Sequence, residues 1–110
     1  MKYMMFVCTD TEPETDASQV PDIETWVGEA YGSGKAVMGD RLAPVETATT
    51  VRVRGGELLI TDGPFAETKE VIAGFDILEC ADLDEAIEIA RRHPMAYGGR
   101  IELRAFDPLP

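Results

Sequence analysis

The hydrophobic positions change period repeatedly along the chain, and each change marks an element. Tyr3-Met4-Met5-Phe6-Val7-Cys8 is continuously apolar, the pattern of a strand covered on both faces. Residues 9–19 (TDTEPETDASQ) mix acids with turn formers and have no period, so they read as a solvated loop. From Pro21 onward Ile23, Trp26, Val27, Ala30 and Tyr31 recur at the spacing of one helical face, with Asp22 as N-cap and Gly32-Ser33-Gly34 as the stop. An aromatic pair such as Trp26 and Tyr31 at this spacing belongs first to the core and only second to a ligand site. Ala36 to Leu42 is a short extended segment. Thr49 to Arg54 alternates, Val51 and Val53 against Arg52 and Arg54, and Gly55-Gly56 returns the chain as a two-residue hairpin into Glu57 to Ile60. Arg52 and Arg54 read as a solvated sheet face before they read as a grip for an anion.

The longest apolar alternation is Val71 to Cys80. Ile72, Gly74, Asp76, Leu78 and Cys80 share one face, and Val71, Ala73, Phe75, Ile77 and Glu79 share the other. Both faces are mainly apolar, so this is a central strand with cover on each side. Asp76 interrupts it, and an acid in mid-strand must either reach water through a cleft or be buried with a partner. Asp82-Leu83-Asp84-Glu85 opens a second helix with a capping signal, Leu83, Ala86, Ile87 and Ala90 form its buried face, and Pro94 follows its basic end. His93 reads there as a helix-dipole residue. Gly98-Gly99 turns into the last strand, Arg100 to Phe106, and residues 107–110 form a terminal tail.

Strand, helix, strands, helix, strand, with a hairpin inserted before the central strand, predicts an α+β ferredoxin-like sandwich. Two helices cover only one sheet face. The apolar second face therefore predicts another surface against it, and a homodimer is the expected source. In the same topology the first and central strands run antiparallel, which places Cys8 and Cys80 at opposite ends and out of disulfide reach.

The least generic stretch is TDGPFAETKEVIAG, residues 61–74. Pro64 fixes its own φ and restricts Gly63, and Gly63 accepts angles that a side chain would forbid. Asp62 can cap the turn as an Asx residue does. Phe65 is an apolar anchor, and Glu67, Lys69 and Glu70 follow as a cluster of charge. Asp62 and Asp76 are the candidate catalytic acids. Asp40, Arg41, Gly63, Pro64, Phe65, Glu67 and Lys69 are the candidate ligand-binding residues.

The segment TDGPFAETKE, followed by AGF, DLDEAIEIA, RRHP and GGRIELRAF, closely resembles the DGPF group of YCII-related proteins over nearly the whole chain. The resemblance implies a ferredoxin-like protomer whose open sheet faces stack as a dimeric α/β barrel, with small-molecule clefts between sheet and partner. Some YCII-like relatives resemble lyases or dehydrochlorinases that use a His and Asp pair. Some DGPF proteins are associated with extracytoplasmic-function sigma factors, which implies an alternative: a non-catalytic accessory in sigma-factor-dependent transcription initiation. The chain departs from the enzymatic relatives in its histidines, since His93 is its single one. No His–Asp dyad is carried over, and acid or base work falls to Asp62, Asp76, Asp40 or Glu67, each of which needs a raised pKa to act near neutrality.

Composition narrows the partners. With 21 acidic and 10 basic residues in 110, the formal charge is −11, which opposes nucleic-acid backbones and anionic membrane surfaces alike. A hydrophobic content of 45 % suits one soluble domain with one core. The first apolar run is too short for a signal-peptide core and no run reaches transmembrane length, so the cytoplasm is the expected compartment. Two cysteines read as buried thiols. A calcium loop beginning at Asp10 would need Gly at Thr15 and Glu at Pro21. Zinc lacks ligands, and there is neither a nucleophile elbow nor a phosphate loop, so no metal and no cofactor is expected.

Overall fold

The computed structural model describes residues 1–63 and 71–107. Strands β1 (Lys2–Thr9), β2 (Ala36–Arg41), β5 (Ile72–Glu79) and β6 (Gly99–Ala105) form one antiparallel sheet in the order β2-β5-β1-β6. Helices α1 (Ile23–Gly32) and α2 (Leu83–Arg91) pack on one of its faces. A short helix α3 (Met95–Gly98) leads into β6, and β3 (Thr49–Arg54) and β4 (Glu57–Asp62) form a separate hairpin. The fold is thus mixed α+β with antiparallel sheets, in the strand order of the split βαβ arrangement. Among the described residues no closed barrel is formed.

Local chemistry sets the helix ends. Asp22 accepts the Thr25 N–H at 3.1 Å, and Asp82 accepts the Glu85 N–H at 2.9 Å. Glu85 reaches back to accept the Ala81 N–H at 3.0 Å, so both helices begin on satisfied donors. The core lies between them and the sheet. Met5 and Leu78 are fully buried, with Tyr3, Val7, Trp26, Ala30, Ala86 and Ala90 around them. Trp26 also ties α1 to α2, because its indole N–H donates to the Ile89 carbonyl at 2.8 Å.

One register detail shapes everything near Asp76. Ala36 opposes Leu78, but a shift at Val37 leaves Gly39 opposite Asp76 and Arg41 opposite Gly74. The extra residue returns Gly39 and Arg41 to the helix-covered side, as a bulge does. A Cβ on Gly39 would overlap the Asp76 carboxylate and the Phe75 carbonyl. Glycine is required there by close approach and not by its dihedral angles.

The hairpin departs from the simplest reading of its alternation. Gly55 and Gly56 both have positive φ, 59° and 79°, as a tight two-residue turn demands. The face carrying Val51, Val53, Leu58 and Ile60 is nevertheless 58–61 % exposed, while Arg52 is half-buried. The hairpin stands off the main sheet, and the radius of gyration, 16.2 Å, exceeds the ~13 Å of a compact chain this long. The last strand of the hairpin also runs further than its apolar run: Asp62 is a strand residue paired with Thr49, not the first residue of a turn.

The alternation along β5 is as expected. On the uncovered face Phe6 faces Phe75 and Met4 faces Ile77, all half-buried, with Arg100, Glu102 and Arg104 on the adjacent strand. Cys8 and Cys80 are both free and buried, on opposite faces and at opposite ends of the β1–β5 pair. Two short 3-10 turns, Ala17–Gln19 and Val45–Thr47, and helix α3 carry no periodic signal that would reveal them in advance. No helix among the described residues is long and apolar enough to cross a membrane.

Candidate functional site

Concavities on the described surface include two grooves and a larger cleft. The grooves, of about 310 and 340 Å³, are shallow and run along α1 and α2, and their rims carry surface ion pairs such as Lys35–Glu85 at 3.1 Å and Arg92–Glu88 at 3.6 Å. The cleft, about 640 Å³, lies between α1, the β2–β5 edge and the residues that follow α2. It is the one whose floor holds a buried acid.

That acid is Asp76. The hydrophobic periodicity of β5 points it toward the helices, and it is 9 % exposed. Tyr31, at the end of the apolar face of α1, donates its phenolic O–H to Asp76 Oδ1 at 2.5 Å. Oδ2 has no hydrogen-bond partner among the described residues. Burial pushes the Asp76 carboxyl above its ordinary value, and the Tyr31 hydrogen bond pulls against that rise. The Tyr31 phenol is itself pushed far up, first by burial and then by the carboxylate beside it, so it remains a donor.

The walls are apolar and aromatic. Ile23 and Val27 are 44 and 43 % exposed because they overhang the cleft instead of entering the core, and Trp26, Val7 and Met95 complete the lining. His93 lies in the same lining. Its ring packs edge-on against Trp26 with centroids 4.7 Å apart, and its Nδ1 accepts the Met95 N–H at 2.9 Å. The neutral tautomer therefore carries its proton on Nε2. Burial lowers the His93 pKa, which corrects the helix-dipole reading: a buried imidazole held neutral does not supply a positive charge to the end of α2.

The structure brings some of the candidate residues together. Asp76, Asp40 and Arg41 line the cleft, with Asp40 opposite Phe75 and its Oδ1 accepting the Arg41 N–H at 2.9 Å. Asp62 and Gly63 do not line it. They close the hairpin, where the Gly63 N–H donates to the Ala48 carbonyl at 2.6 Å and the Thr50 hydroxyl to the Gly63 carbonyl at 2.9 Å. Gly63 has φ +94°, which accounts for glycine at that position. Pro64, Phe65, Glu67 and Lys69 lie outside the described residues. Gly39 and His93 join the cleft without having been candidates, and Tyr31 and Trp26, read first as core and only second as a ligand site, line it too. The available signal was a pair of unmet needs: a phenol on an apolar helix face and an acid on an apolar strand each require a partner. Among the described residues no group of His, Cys, Asp and Glu is placed to hold a metal ion.

The YCII-related domain matches residues 1–108 of this chain. The chain belongs to the YCII-related family. An uncharacterized protein of Rhizobium meliloti (strain 1021) is 41 % identical over 78 residues, which make up 71 % of this chain and 63 % of that relative. This YCII-related chain thus spans less than two thirds of the length of the curated relative it matches.

Tyr31→Phe tests the coupling on which this site is built. Because its folded pKa is raised, Asp76 contributes stability that is fully present below the ordinary aspartate value of 3.8 and is lost as pH rises through the folded value. Tyr31 offsets that loss by solvating the ionised form. Denaturation of Tyr31→Phe should show a cost of about 1.5–3 kcal/mol at pH 8, as for a hydrogen bond to a charged group, and a smaller one at pH 4. An equal cost at both pH values would mean that the phenol does not act through the carboxylate.

Proposed function

We propose that this chain binds a small polar molecule, aromatic in character, in the Asp76 cleft, and that Asp76 serves there as a carboxylate acid or base in lyase-like chemistry. The observation that carries this reading is a buried acid with one oxygen held by Tyr31 and the other without a hydrogen-bond partner among the described residues, in a cleft whose walls are mainly apolar. An acid in such surroundings has a proton affinity shifted toward neutrality, which is what general acid–base work requires. The accessory role beside a sigma factor needs no cleft and no buried acid, so these features favour a ligand. A thermal-shift screen of metabolites tests the reading. A ligand at about 100 times its dissociation constant should stabilise the fold by about 2.7 kcal/mol, and Asp76→Asn should abolish that stabilisation while leaving the fold intact. Hits that keep their full effect in Asp76→Asn would reject the cleft as the site.

A homodimer is the second part of the reading, with the uncovered sheet face as its interface. Met4, Phe6, Phe75 and Ile77 sit on that face, and Met38 beside Ile77 is 51 % exposed. Two such faces stacked as an α/β barrel would bury on the order of 1,600 Å² in total, enough for a lasting association. Sedimentation should give twice the 12.0 kDa mass of the chain. A concentration-independent monomer would reject the barrel.

A further inference from the structure

The charge around the cleft narrows what enters it. In a chain of net charge −11, Arg41 is the one cationic side chain among the described lining residues, and among those residues it forms no ion pair. The register places it on the helix-covered side, two residues beyond Gly39, which lies directly opposite Asp76. The Cα atoms of Gly39 and Arg41 are therefore about 6.6 Å apart along β2. The floor between these points is kept low by glycines: Gly39 and Gly74 contribute no bulk, and a Cβ on Gly74 would come within 2.9 Å of the Asp40 carbonyl. Above it hang Ile23, Trp26, Val27 and Tyr31 of α1. The cleft is therefore a mainly apolar slot with the Arg41 cation, next to Asp40, at one end and, at the other, a carboxylate oxygen that has no hydrogen-bond partner among the described residues.

Resting on the cleft reading above, we infer that the ligand is a flat-ringed organic monoanion whose anionic group meets the Arg41 guanidinium and whose hydroxyl, on the far side of the ring, donates to Asp76 Oδ2. A benzene ring with para substituents carries one polar group toward each end of such a slot. The Arg41 guanidinium matches a carboxylate through paired N–H donors, and the Tyr31 hydrogen bond leaves Oδ2 as the acceptor for the ligand O–H. A ring lacking the anion keeps the apolar contacts and the Asp76 contact, and a ring lacking the hydroxyl keeps the Arg41 contact. Neither satisfies both ends.

Calorimetric titration of the full chain with 4-hydroxybenzoate, phenol and benzoate tests this. The expected result is that 4-hydroxybenzoate binds at least ~10-fold more tightly than either of the other two, about 1.4 kcal/mol of added affinity. Arg41→Met should bring 4-hydroxybenzoate down to the level of phenol and leave phenol unchanged. Since Arg41 is exposed, this variant should fold as the wild type does, and matching amide spectra check that it has. Equal affinities for 4-hydroxybenzoate and phenol, or no effect of Arg41→Met, would overturn the anion assignment while phenol binding sensitive to Asp76→Asn upholds the cleft. Failure of all three rings to bind would overturn both.

Discussion

A carboxylate on the covered face of a central strand is the constraint that organises this protein. Asp76 cannot sit among Met5, Leu78 and Trp26 without a donor, and Tyr31 provides it from the last turn of α1. That single bond fixes how the end of α1 sits over β5. It also explains Gly39, because the space a side chain would take on β2 is occupied by the carboxylate. The bulge at Val37 brings Gly39 opposite the acid, and the phenol of Tyr31 meets it from above. An apolar residue at position 76 would remove the need for the phenol as donor, while the Phe75 carbonyl would still exclude a side chain at Gly39.

The remaining surface follows from having two helices and a sheet with two faces. One face is sealed by α1 and α2. The other keeps Phe6, Phe75, Met4 and Ile77 half-buried, and the hairpin leaves Val51, Val53, Leu58 and Ile60 open to water. A chain whose extents are 48 × 42 × 19 Å has too little thickness to bury these groups by itself. The proposed stacking of two sheets adds the missing layer.

Much of this architecture is legible in the residues, for identifiable reasons. The continuous apolar run of β1, the two-faced alternation of β5 and the capped amphipathic helices each carry a period that only one element satisfies. The Gly55-Gly56 turn is equally legible, because both residues must adopt positive φ. What escapes is contact between distant segments. Nothing in the helical face of α1 says that Tyr31 will meet Asp76, 45 residues away, and nothing in the end of α2 says that His93 will turn inward against Trp26. The DGPF corner draws attention by its turn chemistry, yet its described part, Asp62 and Gly63, closes the hairpin and does not line the cleft. Local chemistry marks turns well, whereas a buried polar pair is visible only as two separate residues that each lack a partner.

The central claim is that Asp76 is held out of water with Tyr31 as its donor, and a carboxyl-carbon NMR titration of the folded chain reads this directly. The account predicts that Asp76 titrates above the ordinary value of 3.8, and that in Tyr31→Phe its midpoint moves higher still, because burial raises the value and the phenol opposes the rise. A midpoint at or below 3.8 in the wild type, or a fall on removal of the Tyr31 hydroxyl, would contradict it.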